Sequence, residues 1–237
     1  METRLNKAIA SSGICSRRQA DEMILNGLVT INGHIVKEPF FRVKLGKDHI
    51  EVAGHSKIKQ RPKQYFILNK PKGFVCSNAR QKLEKLVIDL FPKNLQNLFT
   101  VGRLDKESTG LIIVTNDGDF ANKVIHPSSN IIKEYLVKVS KEVFDEELAN
   151  LSKGGFIEGT FVKPYRVQKV RRGTLKICLK QGKKREVRVL CEKAGLEVIE
   201  LKRIRIGSLH LGSLPEGCYR ELTQADKMAL FGEQKKS

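Results

Sequence analysis

The sequence predicts an α+β protein of two modules: a small one over residues 1–56, a short basic linker at 57–64, and a larger one over residues 65–237. Three observations carry this. Apolar spacing alternates between helical and strand periods in both halves of the chain. Asn32-Gly33, the strongest two-residue hairpin signal, lies between two short β-branched runs. The stretch Lys57-Ile58-Lys59-Gln60-Arg61-Pro62-Lys63 is polar, cationic and interrupted by Pro, the composition of a linker. The larger module reads as a mixed, mostly antiparallel sheet with flanking helices.

In order, Leu5, Ala8 and Ile9 give a first helix over Arg4–Ser11, broken by Gly13. Ser16-Arg17-Arg18-Gln19 is a capping box that starts a second helix, which Gly27 stops. Leu28–Ile31, Ile35-Val36 and His49–Val52 are strands. Beyond the linker, Tyr65–Leu68 is a strand and Leu83–Phe91 an amphipathic helix ended by Pro92. Leu98–Val101 and Leu111–Thr115 are strands around a polar loop, and Asp119–Ile125 is a short helix. Lys133–Val139 alternates as a strand, Val143–Ser152 is a helix, and Thr160–Val170, Thr174–Leu179 and Glu197–Ile206 are strands. Thr223 caps a last helix that runs to about Leu230.

The chain is 40% hydrophobic and 30% charged, as in soluble globular proteins. It shows no apolar run near the ~18 residues of a membrane helix and no apolar signal core after Met1, so a cytoplasmic location and no membrane partner are expected. Five dispersed cysteines without a C-x-x-C pair predict reduced thiols packed as small hydrophobes, and no metal site. The net charge of +18 is uneven. Residues 57–95 carry +8 and residues 163–205 carry +11, while residues 96–162, between them, carry −3. A basic surface with 6% aromatics suits a structured polyanion better than single-strand stacking platforms.

The chemistry is expected where the acidic segment begins. In Val101-Gly102-Arg103-Leu104-Asp105-Lys106-Glu107-Ser108-Thr109-Gly110-Leu111-Ile112-Ile113-Val114-Thr115-Asn116-Asp117-Gly118, one carboxylate, Asp105, sits in a loop between two strands. On its own it reads as a turn residue. The whole string closely resembles the G-R-L-D-x-x-T/S-x-G-L signature of the pseudouridine synthases that modify ribosomal RNA, in which the matching Asp is the essential catalytic residue.

The resemblance extends over about Arg4 to Phe231. Asn69-Lys70-Pro71-Lys72-Gly73 is similar to the segment that opens the family's catalytic domain, and Lys133-Glu134-Tyr135-Leu136-Val137 to its K-x-Y-x-V motif, whose Tyr stacks on the target base. Gly182-Lys183-Lys184-Arg185-Glu186-Val187-Arg188 is similar to a G-x-N/K-R-Q/E-V-R segment, whose last Arg pairs with the catalytic carboxylate. Lys184 and Glu186 depart from the usual Asn and Gln. The residues before Gly33 resemble the αL RNA-binding module of a small-subunit ribosomal protein.

The resemblance implies Asp105, Tyr135 and Arg188 as the catalytic set, with Arg103, Leu201 and Lys133 in the substrate pocket. It implies RNA contacts from Arg4, Lys7, Arg17 and Arg18 in the first module, and from Lys70, Lys72, Lys183, Lys184 and Arg185 in the second. No cofactor or metal is expected, the partner is ribosomal RNA (large-subunit RNA favoured), and a monomer is the default. Two rivals stand beside this reading. One is a non-catalytic RNA-binding or ribosome-assembly factor. The other is a metal-dependent nuclease using Asp105, Glu107, Asp117 and Asp119.

Overall fold

The alternation over Lys133–Val139 is realised as a strand near the middle of a nine-stranded sheet, in a computed structural model that describes residues 2–55, 61–77, 83–95 and 97–232. The chain divides into two units, residues 1–63 and 64–237.

In the first unit β1 (Glu2–Arg4) leads into α1 (Leu5–Ser12) and α2 (Arg17–Leu25), followed by β2 (Val29–Ile31), β3 (His34–Ile35), β4 (Arg42–Lys44) and β5 (Ile50–Val52). Ser16 and Gln19 form the expected reciprocal cap on α2, at 3.3 and 2.9 Å. Asn32 and Gly33 both take positive φ, which a tight turn between β2 and β3 requires. β3, β2 and β5 form one sheet, and β1 pairs with β4 in another. Leu5, Ile9, Ile24, Val29 and Val43 bury fully between helices and sheets.

The second unit runs β6 (Tyr65–Lys70), β7 (Phe99–Val101), β8 (Thr109–Thr115), α3 (Gly118–Ile125), β9 (Lys133–Val139), α4 (Asp145–Lys153), β10 (Gly155–Ile157), β11 (Thr160–Val162), β12 (Arg166–Arg171) and β13 (Thr174–Leu179). It ends with α5 (Glu186–Lys193), β14 (Val198–Ile206), β15 (Leu209–His210), β16 (Tyr219–Glu221) and α6 (Gln224–Phe231). The main sheet has the order β12-β13-β9-β14-β8-β6-β16, and β14 with β8 is its parallel pair. On one face Leu68, Ile112, Val137 and Ile177 pack with Leu151 of α4 and Leu190 of α5. On the other, Ile67, Leu111 and Ile113 pack with Val124 of α3 and Leu230 of α6. β8 is buried on both faces, which explains its unbroken apolar run.

Three sequence expectations give way here. Leu83–Phe91 is not one helix: Leu83 has φ 71°, Leu86 bridges Val75, and only Val87–Leu90 makes a 3-10 turn. The amides of Val75 and Val87 bond the Lys85 and Val75 carbonyls, so the backbone there serves a bridge instead of a helix. The strand expected over Thr160–Val170 is two strands, and β11 forms a separate hairpin with β10. Cys218 is exposed, whereas Cys76, Cys178 and Cys191 are buried as expected and Cys15 is half-buried. The linker residues 57–60 lie outside the described residues.

Candidate active site

Backbone register lays four residues in a row across the sheet: Lys70 opposite Gly110, Gly110 opposite Arg203, Arg203 opposite Tyr135. Neighbours in register project to the same face. Gly110, at φ 104°, allows this row to close, since a Cβ there would collide with the Arg203 backbone. The loop carrying Asp105 enters β8 at this row, with Ser108 N–H donating to the Asp105 carbonyl at 3.0 Å.

Lys70 holds that loop from below. Its ammonium is closed to solvent and donates to the carbonyls of Pro71 (3.0 Å), Lys106 (3.3 Å) and Ser108 (2.8 Å). Burial pulls its pKa down, while Cys76, Asp105 and Glu107 oppose the shift. Lys70 is therefore not the RNA contact that the resemblance implied. Its side chain is fully buried and three carbonyls take up its three protons, which leaves none for a phosphate.

Arg203 is 3% exposed and donates through Nε to the Leu111 carbonyl at 2.7 Å; its Nη2 is buried without a partner. Burial pushes the Tyr135 phenol up, the adjacent Arg203 charge pulls it back, and Glu186 and Asp105 push it up further. Tyr135 thus lies in the fields of all three groups. Below the loop, the amide of Leu104 reaches the Cys76 thiol at 3.4 Å. Burial raises that thiol's pKa, and Lys70, Arg203 and Arg103 pull it down.

The pairing expected of Arg188 does not form. Its Nη1 donates to the Val198 carbonyl at 3.2 Å, its Nε is buried unpartnered, and among the described residues no cation lies within ion-pair distance of Asp105. The reason is placement: Arg188 stands on α5 beside the start of β14, whereas Arg203 is in the register row. An inward-facing cation in Leu201-Lys202-Arg203 was the available signal for Arg203, because Leu201 two positions earlier marks the buried face. The same argument would have found Lys70.

Glu186 is 4% exposed. Its Oε2 accepts from Lys183 N–H at 3.0 Å and its Oε1 is buried unpartnered. Burial raises its pKa against the pull of the Lys183 amide, Lys133 and Arg203. Lys133 is half-buried, donates to the Ile131 and Lys180 carbonyls at 3.4 and 3.3 Å, and has its pKa lowered by burial. Leu201 is buried opposite Val137, and Arg103 is exposed. Lys183, Lys184 and Arg185 form an exposed loop before α5, and Lys72 is exposed in a 3.1 Å pair with Glu107. In the first unit Arg17 and Arg18 are exposed at the start of α2, Lys7 is half-buried in α1, and Arg4 stacks its guanidinium 5.0 Å from the Phe40 ring.

Of the acids a nuclease would need, Asp117 is occupied: it caps α3 and accepts from the Tyr65 hydroxyl at 2.8 Å. Among the described residues no group of three His, Cys, Asp or Glu is arranged to hold a metal, and no helix is long and apolar enough to cross a membrane.

A mixed sheet holds a loop carboxylate near a buried Tyr–Arg pair, and a small helix-and-hairpin unit precedes it. Comparisons with known proteins assign this architecture to RNA-modifying enzymes with an appended S4 domain. The RNA pseudouridylate synthase family matches residues 64–193, and the S4 domain matches residues 3–50. A putative chloroplastic ribosomal large subunit pseudouridine synthase of Arabidopsis thaliana is 42% identical over 96% of this chain, which spans 60% of that relative's length. The ribosomal large subunit pseudouridine synthase B of Bacillus subtilis is 38% identical over 93% of this chain and 92% of its own. A dual-specificity RNA pseudouridine synthase of Escherichia coli K12 is 39% identical over 96% of this chain and 78% of its own. A crystal structure of a pseudouridylate synthase, 31% identical, superposes with a TM-score of 0.70 over 96% of this chain and 99% of its own. The chain belongs to the RNA pseudouridylate synthase family and carries an N-terminal S4 domain.

Proposed function

We propose that this protein isomerises uridine to pseudouridine in ribosomal RNA, with large-subunit RNA as the substrate, as the names of the Arabidopsis and Bacillus relatives suggest. The observation that carries the reading is the row Lys70–Gly110–Arg203–Tyr135, with the Asp105 loop clamped at its end.

The reaction breaks the bond between ribose C1′ and uracil N1, turns the ring, joins C1′ to C5 and releases the C5 proton, while N1 takes up a proton. Asp105 supplies the carboxylate at the sugar. Two routes are open to it, attack on C1′ or removal of a neighbouring proton, and both need an ionised carboxylate. Tyr135 offers a ring for the flipped base to stack on, with Leu201 in the wall; extrusion costs a few kcal/mol, offset by stacking and phosphate contacts. Arg203 holds the Tyr135 hydroxyl in a positive field. Arg188 remains in the proposal through its unpartnered Nε, a donor that an incoming carboxylate or base can satisfy.

In this reading residues 1–56 grip structured RNA through Arg4, Lys7, Arg17 and Arg18, residues 57–64 connect the modules, and residues 65–237 perform catalysis as a monomer in the cytoplasm. Lys72, Lys183, Lys184 and Arg185 meet phosphates around the target. The test is tritium release from ribosomal RNA labelled at uracil C5, comparing wild type with Asp105→Asn in excess chelator. Release by wild type alone supports the assignment. No release from either protein on both subunit RNAs, with RNA binding intact, would turn the reading to an assembly factor.

A further inference from the structure

The hairpin that the sequence did not resolve carries an unexplained surface. β10 and β11 place Phe156 directly opposite Phe161, with rings 5.3 Å apart, and leave them 65% and 49% exposed. Ile157 and Val162, the alternate residues, are buried in the core, so the hairpin does not need these two rings for its anchorage. A third aromatic, Tyr165 at the entry to β12, is 61% exposed, with the Lys180 ammonium 4.9 Å from its ring.

These rings flank the basic loop before α5. Lys183 donates to the Thr160 hydroxyl of the hairpin turn at 3.1 Å, while its backbone amide bonds Glu186, whose charge bears on Tyr135. On the other side the Lys180 carbonyl accepts from Lys133, two residues from Tyr135 on β9. Between Glu158 and Glu186 the chain carries ten basic residues and no acidic one.

We propose that Phe156, Phe161 and Tyr165 form a stacking platform for unpaired nucleotides beside the target uridine, with Lys180, Lys183 and Lys184 holding their phosphates. This deepens the reading above and rests on it. Exposed aromatics amid cations, with Glu158 of the hairpin turn the one acid between the two Phe rings, match a nucleic-acid strand, which offers a flat ring and a negative charge at each step. An apolar protein surface would leave Lys180, Lys183 and Lys184 to desolvate without compensation. The low overall aromatic content conceals this, because three of the chain's fifteen Phe and Tyr residues gather here.

The test uses the full chain carrying Phe156→Leu, Phe161→Leu and Tyr165→Leu together. Leucine keeps the hairpin apolar but removes the π-face. Fluorescence anisotropy compares two RNAs, a stem-loop with unpaired uridines and the same stem closed as a blunt duplex. Affinity for the stem-loop is expected to fall about tenfold or more for each base that unstacks, with duplex affinity unchanged and the loss of tritium release falling in KM. Unchanged stem-loop affinity, or an equal loss on both RNAs, overturns the platform. The outcome in which stem-loop affinity is kept assigns the rings to protein docking or hairpin stability instead. Failure of the wild type itself to release tritium overturns the isomerase reading, which separates the two ideas.

Discussion

The Lys70 ammonium and the Ser108 carbonyl meet at 2.8 Å in a space closed to solvent, fastening the loop of Asp105 to the strand that precedes it by some forty residues. A charge satisfied only by backbone carbonyls positions a loop without competing for substrate. Lys70→Met would leave three carbonyls without their donor and is expected to destabilise the protein by about 3 kcal/mol. Tritium release should vanish while RNA affinity stays within about twofold. A large affinity loss in a stably folded variant would restore Lys70 to the phosphate-binding set.

Gly110→Ala tests the register row. Alanine at φ 104° is strained, and its methyl would press on the Arg203 backbone, so β8 and β14 must part. A loss of about 2–3 kcal/mol in denaturant melts is expected, with activity falling further than stability alone accounts for. A wild-type melt would show that the row has slack.

Arg203 and Arg188 separate by what each variant loses. Arg203 lowers the Tyr135 pKa and belongs to the site's field, so Arg203→Lys should retain the fold, lower kcat by about a hundredfold or more and move the limbs of the pH–rate curve. Arg188→Ala removes one bond to Val198 and is expected to cost about 1 kcal/mol of stability. If Arg188→Ala also abolishes turnover in a folded protein, its free Nε is used during catalysis.

At the far end of the sheet, Asp226 gives a pH effect independent of catalysis. Its carboxylate takes both Arg220 donors, at 2.5 and 3.1 Å, and caps α6 through Thr223, which holds its pKa at about 2 against an ordinary 3.8. A carboxyl lowered in the folded state contributes stability above its unfolded pKa, and that contribution fades as the pH drops from about 4 to about 2. Discounted for partial solvent screening, it amounts to about 1 kcal/mol. Asp226→Asn should melt earlier than wild type at pH 7 and level with it near pH 2.

Salt supplies the test of the +18 charge. If about six phosphates are neutralised, RNA affinity should drop on the order of a thousandfold between 50 and 200 mM salt. A flat response would mean that base contacts dominate.

Local signals were legible where local physics decides. The Ser16 capping box, the Asn32-Gly33 turn and the alternation at Lys133–Val139 each formed as read, because the partners that satisfy them lie within a few residues or a single strand. Leu83–Phe91 misled because its apolar spacing is helical while its backbone bonds go to Val75. In the site, a motif string can name Asp105 and Tyr135 but not the neighbours that reach them through register. Arg203 faces Tyr135 only because β14 lies between β9 and β8. In sequence, the buried Leu two positions before Lys70 and before Arg203 marks their face but names no partner.

The register row also has a consequence in time. Its members come from β6, β8, β9 and β14, and Lys70 and Arg203 are separated by more than half the length of the chain. Contacts that distant in sequence form late and slowly. The S4 domain lies wholly N-terminal to β14, so a nascent chain presents it complete before the register row can close. RNA can be gripped before it can be altered.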